Sequence, residues 1–594
     1  MTREEMSWRG WSELDVLLIS GDAYVDHPSF GVACLGRWLE SLGARVGIIA
    51  QPRWNTTEDL LRMGVPRLFV GISSGTVDSM INNYTANRKR RSDDMYAAGG
   101  KGGLRPDYAS VVYSGLARQA FPNTTLVVGG VEASLRRLAH FDFWQNKVRP
   151  SILMDLQSDL LAFGMGERSS AAIFKELSRA REEAGTPVLV KGHPAAQAAL
   201  TRLKQERGFA YLVSKADARE LQPRLTLPSF EEVRDDKKKF ARAAYLTEFE
   251  ASPANGRRLV QYHGSRAVVV NPPPLPLSTS ELDAIYELPF VKDQHPSYDA
   301  RIPACDMIRF SVASNRGCFG GCSFCAITLH QGRIVQSRSE KSILQEVAGL
   351  QRVNGYKGIV TDVGGPTANM YGLTCKSPEI QAKCRKLSCV SPTLCPHLQK
   401  DHSPQIRLLS RVRATPGVRK VFIACGLRYD LALGDQKAGR EYLRELVTHH
   451  VGGHLKVAPE HLDPEVLALM KKPPIQQFEE FAALFDEISR AAGKEQYLVP
   501  YFISGFPGST HEKMQHVTSY LQSKGWRLQQ VQAFIPTPMT LATAMYWTGL
   551  NPVNRKALFV AKSWEDRKIQ QALLQPHRSG HKRVLHGFRG KKPY

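Results

Sequence analysis

Asn315-Arg316-Gly317-Cys318-Phe319-Gly320-Gly321-Cys322-Ser323-Phe324-Cys325 places three cysteines in a C-x3-C-x2-C run. Thiolates are soft donors that suit iron–sulfur clusters and zinc. A structural zinc site usually wants four donors at paired spacings. This run crowds three into a short loop and offers no fourth within it. Three such thiolates can hold three irons of a cubane and leave the fourth iron open to a small ligand, which points to a redox enzyme rather than a binding scaffold. Phe319-Gly320-Gly321 gives the backbone room to wrap a bulky cluster. A zinc-ribbon fragment or a chance grouping of cysteines is the competing reading.

On the C-terminal side of this run the chain alternates. Lys357 to Val363, Val418 to Ala424, Leu455 to Ala458 and Leu498 to Ile503 read as strands. Glu441 to His449, Pro464 to Met470 and Phe478 to Ala492 read as helices between them. Repeated β/α of this kind predicts a whole or partial parallel barrel, with functional loops after the strand C-termini. On the N-terminal side, Asp15 to Ser20, Arg45 to Ala50, Arg67 to Ile72 and Thr125 to Gly130 are short apolar runs of the kind found in buried parallel strands, and Gly36 to Leu42 is helix-like. They predict a doubly wound α/β domain. The expected division is an α/β domain over 1–230, a helical and Pro-rich connector over 231–301 ending in the stiff Asn271 to Pro276, a barrel over 302–565 and a basic tail over 566–594. The tail includes Arg567, Lys568, Arg589, Lys591 and Lys592, and its end is expected to be flexible. Asn87 to Arg91, leading into Gly99 to Gly103, reads as a mobile basic loop, either simply solvated or touching a phosphate.

The three cysteines, with aromatic Phe324 before the last, match the signature of the radical S-adenosylmethionine (radical SAM) superfamily. The text from Arg316 to Cys322, followed by His330-Gln331-Gly332-Arg333 and Ser337-Arg338-Ser339, resembles the YgiQ-type family within it. The resemblance implies a [4Fe–4S] cluster on Cys318, Cys322 and Cys325, with S-adenosylmethionine at the open iron. It further implies reductive cleavage of the sulfonium to a 5′-deoxyadenosyl radical, which takes hydrogen from a substrate. The cofactor carries that chemistry, and the protein supplies position and shielding.

Further motifs fall where strands end. Gly364-Gly365-Pro366-Thr367 resembles the superfamily's methionine-binding glycines, against the alternative of a plain turn. Arg428 is a candidate clamp for the methionine carboxylate, or else the partner of Asp430. Glu460 is placed to receive ribose hydroxyls or to serve a helix entry. His461 is a proton shuttle or a satisfied structural histidine. Ser504, in Ile503 to Thr510, resembles a strand end of radical enzymes that include methylthiotransferases, and Gln532 to Thr540 resembles their last strand and exit loop.

A second cysteine group, Cys375, Cys384, Cys389 and Cys395, lies in an insertion at about 370–402, with His397 and His402 close by. That stretch lacks a core of its own, and metal ligation would supply the missing ordering energy. It is read as a second metal site, an auxiliary iron–sulfur cluster or zinc, or as free thiols in a redox-sensitive loop. Cys34, Cys305 and Cys425 read as isolated small apolar residues.

The N-terminal half resembles the cobalamin-binding Rossmann-like domain that precedes many radical enzymes. The lower-ligand pattern there is D-x-H-x-x-G, and Asp26-His27-Pro28-Ser29-Phe30-Gly31 departs from it. Cobalamin is therefore not expected, and the domain is expected to help close the substrate cleft.

The whole chain has 594 residues, 42% of them hydrophobic, and carries a net charge of +23. It can bury real cores, and the composition excludes a disordered chain. It contains no apolar run long enough to span a membrane, and its start lacks the apolar core of a secretory signal, so the cytosol is the expected compartment. The positive charge attracts polyanions or simply keeps the surface soluble. With the methylthiotransferase-like motifs it leans toward RNA or a ribosome-associated substrate. The electron donor is expected to be a flavodoxin or ferredoxin. A nucleic-acid-binding or redox-sensing iron–sulfur protein without turnover is the alternative.

Overall fold

The computed structural model describes residues 1–589. Lys591 and Lys592 of the expected tail lie outside the described residues. The chain divides into two compact units.

The first unit comprises Met1–Asp236, Phe249–Phe310 and Leu329–Gly332. Its nine-stranded sheet begins with Val46–Ala50, Val16–Ser20, Phe69–Ser73, Thr125–Gly129 and Leu160–Ala162, all parallel and in that spatial order. Every residue of Val16–Ser20 is buried, as an interior strand covered on both faces requires. The helices Gly31–Ser41, Glu167–Ala184 and Pro194–Leu203 supply Leu39, Ile173, Leu177, Ala196 and Leu200 to the core against that sheet. This is the doubly wound arrangement the apolar runs predict.

The sheet then continues through Phe209–Ser214, Arg266–Val270 and Leu259–His263, joined by antiparallel pairing, and ends at Leu225–Thr226. The segment expected as a connector therefore holds a β-hairpin of the N-terminal sheet. Its two-residue turn, Gly264-Ser265, has glycine at φ +60°. The helical part of that connector forms two helices, Phe230–Asp235 and Lys237–Phe249, and residues Lys237–Glu248 belong to the second unit. The basic run Arg88 to Arg91 is exposed, but bridges between Tyr84 and Arg90 and between Asp93 and Lys101 pin its backbone. It is an ordered turn rather than the mobile loop expected.

Strand order reverses between Val16–Ser20 and Phe69–Ser73, the switch point where such sheets open a ligand crevice. Here that place is filled from within. The Arg105 guanidinium, wholly buried, donates to Asp22 and to the Ser74 carbonyl at 2.7 Å each. A Cβ on Gly75 would lie 2.1 Å from Asp22 Oδ1.

The second unit comprises Lys237–Glu248, Ser311–Thr328 and Arg333 to the C-terminus. Its strands succeed one another in parallel. Ser311–Ala313 pairs with Asp362–Gly364, and Ile359–Val360 with Lys420–Val421. Leu427 bridges Val457, and His454–Glu460 pairs with Tyr497–Ser504, which pairs with Gln532–Ala533. Glu340–Gly349, Ser403–Arg413, Gly439–Glu445, Ile475–Ala491 and His511–Ser523 are the intervening helices. This is an open partial (β/α) barrel.

The chain past 565 is not a simple tail. The helix Trp564–Leu574 buries Arg567, Ile569, Gln570 and Leu574, and Ile569, Leu573 and Leu574 join Phe502, Met514 and Val517 in one core. The helix Ser579–Arg589 follows. Among the described residues no helix is long and apolar enough to cross a membrane.

Candidate functional site

The cysteine loop hangs between the strand Asn315–Arg316 and a web of contacts to neighbouring elements. Gly317 at φ +81° and Gly321 at φ +62° turn it through backbone that other residues rarely adopt. Ser323 fixes its middle: its N–H donates to the Met470 carbonyl at 3.2 Å and its hydroxyl to the Leu469 carbonyl at 2.7 Å. Those acceptors end the helix Pro464–Met470, whose last carbonyls lack partners within the helix. Cys325 N–H closes a turn on the Cys322 carbonyl at 3.1 Å.

The three thiols are brought together. Burial raises the Cys318 pKa, with Cys322 adding to the shift. Cys325 is pushed up to about 12 by burial, then by Cys322 and Cys318. Each sulfur also faces donors or positive charge. Cys318 Sγ accepts from Gly320 N–H at 3.4 Å and sits 3.7 Å from Thr367 Oγ1. Cys322 Sγ accepts from Arg428 Nη1 at 3.6 Å. Cys325 feels the Ile327 N–H and the charge of Lys472. Thiols crowded in this way are costly as anions without a metal. A bound cation reverses that, deprotonating its ligands outright. Among the described residues, no three His, Cys, Asp or Glu side chains form a group that could hold a metal ion. A cubane asks for a different geometry, because each thiolate meets a separate iron.

Thr367 connects this loop to Gly364 and Gly365, at the end of the next strand. A Cβ on Gly365 would stand 2.5 Å from the Asn315 carbonyl oxygen and 2.6 Å from Asn315 Nδ2. A Cβ on Gly364 would stand 2.7 Å from Cys425 Sγ. The glycines are thus required by close approach, beside the thiols. Cys425 is not the isolated apolar residue expected. Its thiol donates to Asp362, whose carboxyl burial holds above the usual range. Alternation along the strand, with Asp362 two residues before Gly364, carried that signal.

Of the two roles expected for it, Arg428 takes that of partner to Asp430. Its Nε donates to Asp430 Oδ1 at 2.9 Å and its Nη2 to Oδ2, so the fork is spent on Asp430 and Nη1 faces Cys322. Burial opposes its charge, but Asp430 and the sulfurs of Cys322 and Cys318 outweigh burial and keep it protonated. Asn369 holds the Arg428 backbone by two hydrogen bonds of 2.9 Å. His402, expected near the second cysteine group, instead bonds Asn369 at 3.2 Å and Asp435 at 2.8 Å. His397 is exposed.

Glu460 ends the strand His454–Glu460 at φ +70° and is buried. Lys472 Nζ is 3.7 Å from its Oε1, and its Oε2 has no hydrogen-bond partner. Burial raises its pKa against the pull of Lys472. An orphaned buried carboxylate oxygen is expensive unless something polar meets it. His461 is the satisfied structural residue: its Nε2 bonds Ser509 Oγ at 2.9 Å, its Nδ1 accepts from Asp463 N–H at 3.0 Å, and burial lowers its pKa to about 4.

Ser504 is buried at the end of Tyr497–Ser504, and its carbonyl accepts from Phe534 N–H at 2.8 Å. Gly505 N–H donates to Gln570 Oε1 at 2.8 Å, so the late helix Trp564–Leu574 supports this loop. Phe324 meets Phe506 edge to face at 6.2 Å, and Phe506 meets Phe534 at 5.4 Å. Asn315, Asp362, Thr367, Lys472 and Gln570 are the residues sequence reasoning missed. Their roles arise from contacts distant in the chain.

Comparison with known proteins agrees with this geometry. Residues 1–311 match the family described as Radical SAM N-terminal, 312–521 match the Radical SAM superfamily, and 529–585 match a domain of unknown function. The fold and the thiol loop are thus those of a radical SAM enzyme, a class that carries a [4Fe–4S] cluster and binds S-adenosylmethionine. The UPF0313 protein of Pseudomonas syringae is 46% identical over 97% of this chain and 80% of its own length. UPF0313 protein YgiQ of Escherichia coli K12 is 45% identical over 97% of this chain and 83% of its own. The chain belongs to the UPF0313 family.

Among solved structures, the radical SAM methyltransferase TsrM from Kitasatospora setae, with cobalamin and a [4Fe–4S] cluster bound, aligns at 14% identity. That alignment covers 89% of this chain and 77% of TsrM, with a TM-score of 0.47. The cobalamin-dependent radical enzyme OxsB, with aqua-cobalamin bound, aligns at 11% identity over 91% of this chain and 56% of its own, also at 0.47.

Proposed function

We propose that Cys318, Cys322 and Cys325 ligate three irons of the [4Fe–4S] cluster and that the protein starts radical chemistry on a substrate hydrogen. In this reading the edge formed by Gly364 and Gly365 receives the methionine ammonium, and the unpartnered Glu460 oxygen receives ribose hydroxyls. Phe324 and the backbone after Ser504 flank the nucleoside, and Arg428 steadies the cluster through Cys322. When bound, the cluster supplies the low-potential electron that cleaves S-adenosylmethionine. The chain's own contribution is position and dryness: the aromatic row Phe324, Phe506, Phe534 excludes water, and the donors on each sulfur stabilise the reduced state.

The observation that carries this is the 3.7 Å approach of Thr367 to Cys318, which sets the glycine edge beside the thiols. The net charge of +23 and the exposed run Arg88 to Arg91 support a polyanionic partner, RNA or a ribosome-associated target. A cytosolic flavodoxin or ferredoxin is the proposed electron donor. A cobalamin-free N-terminal domain is supported by the departure of Asp26 to Gly31 from the lower-ligand pattern and by His27 Nδ1, which accepts from Ser29 N–H at 3.1 Å within that loop.

The test is anaerobic reconstitution with iron and sulfide, followed by dithionite and S-adenosylmethionine. The wild type is expected to form 5′-deoxyadenosine, and Cys322→Ala to form none. Wild-type material that binds no cluster, or Cys322→Ala with an undisturbed one, overturns the assignment.

A further inference from the structure

The insertion that carries the other cysteines is packed through Met370, Leu373, Val390 and Leu398, and is poorly furnished with apolar contacts between Leu373 and Val390. Its helix Pro378–Lys383 buries no residue. Backbone pairing nevertheless folds it back on itself. Cys375 bridges Leu398, Lys376 N–H donates to the His397 carbonyl at 2.8 Å, and Gln399 N–H to the Thr374 carbonyl at 2.9 Å. Cys395 N–H donates to the Cys389 carbonyl at 2.8 Å, and Cys384 caps the end of the helix. The four thiols are all half-buried, and Cys395, Cys384 and Cys375 all act on Cys389, which burial and then these neighbours push up to about 12. Positive charge stands ready: Lys386 Nζ lies 3.7 Å from Cys395 Sγ, and Arg333 acts on Cys389.

We propose that Cys375, Cys384, Cys389 and Cys395 hold a second iron–sulfur cluster. Backbone pairing holds the four half-buried thiols in one folded-back segment, with Cys375, Cys384 and Cys395 within electrostatic reach of Cys389. Ligation removes their protons and orders the stretch around the helix Pro378–Lys383, which buries no residue. The gathering matches that of Cys318, Cys322 and Cys325, where thiols lie within electrostatic reach without forming a single-ion site. Four thiolates and a cluster carry net negative charge, which Lys386 and Arg333 offset.

The second centre sits against the back of the first cysteine loop. Cys389 N–H donates to the Phe319 carbonyl at 3.1 Å, and Ser388 Oγ to the Gly320 carbonyl at 2.7 Å. Cys318, Cys389 and Cys395 pack against one apolar cluster of Phe319, Met370, Leu373, Val390, Leu398 and Leu431. The second cluster therefore orders the loop that holds the first.

The experiment reconstitutes the full chain anaerobically with ferrous iron and sulfide. Iron, sulfide and zinc per chain are then measured, along with the electron paramagnetic resonance of the dithionite-reduced protein. The wild type is expected to hold about eight irons, two cubanes of four. The triple variant C318A/C322A/C325A is expected to keep about half that iron, with a reduced signal that S-adenosylmethionine does not alter. The quadruple variant C375S/C384S/C389S/C395S is expected to lose the other half and keep a signal that S-adenosylmethionine alters. That response also shows that the quadruple variant is folded. Wild type with a single cubane, a triple variant without iron, zinc in place of the second iron set, or a disulfide between these cysteines overturns the proposal. Failure of the first cluster alone would instead remove iron that the quadruple variant should retain, which separates the two assignments.

Discussion

Replacing Arg428 by methionine tests the electrostatics of the site at two levels. Asp430 is 3% exposed and Arg428 7%, and the pair is held by the guanidinium fork. Arg428→Met leaves a buried carboxylate without its cation, which costs about 3–5 kcal/mol of stability. The lost guanidinium also stood 3.6 Å from Cys322 Sγ. One unit charge roughly 5 Å from the added electron, at an effective dielectric of about 20, amounts to about 3 kcal/mol. That is on the order of 140 mV, taking about 59 mV per tenfold change for one electron. Since the cation favours the reduced cluster, the potential is expected to fall. The double variant Arg428→Met with Asp430→Asn removes both charges. It should recover most of the stability and part of the potential. Urea unfolding and redox titration followed by electron paramagnetic resonance measure the two effects separately. An Arg428→Met protein within about 0.5 kcal/mol of wild type and with an unchanged potential would refute the reasoning.

Gly365→Ala is expected to weaken S-adenosylmethionine binding by at least tenfold, about 1.4 kcal/mol, because its Cβ would stand 2.5 Å from the Asn315 carbonyl oxygen; equilibrium binding to the reconstituted enzyme measures it. Glu460 has its folded pKa raised by burial, so its contribution to stability is whole below the unfolded value of 4.5 and is lost as pH rises through the folded value. Glu460→Gln keeps the neutral form, and should exceed wild type in unfolding free energy at pH 8 by more than at pH 5. His461 and His263 have pKa values lowered to about 4 by burial, so the folded chain binds fewer protons than the unfolded one. Stability present above about 6.5 is then lost as pH falls toward 4, by up to about 3 kcal/mol per histidine. His461→Asn should flatten that acid slope in urea titrations, and an unchanged slope would count against a buried neutral ring.

The cysteine spacing, the apolar five-residue runs and the strand-end glycines settled the class of chemistry, the doubly wound sheet and the barrel, because these depend on local chain geometry. Strand burial is written as short runs rich in Val, Leu and Ile, and three thiols in one loop are neighbours however the rest folds. What escaped the sequence depends on which distant segments meet. The hairpin Leu259–His263 and Arg266–Val270 carries a legible turn, but its place in the N-terminal sheet is set by pairing with Phe209–Ser214. Gln570 reads as part of a basic tail until it is seen bonded to Gly505. The choice of Arg428 between ligand and Asp430, the Asp362–Cys425 contact and the gathering of Cys375, Cys384, Cys389 and Cys395 were likewise decided by tertiary structure. A side chain's partner is fixed by three-dimensional proximity and by what burial leaves available to satisfy its charge.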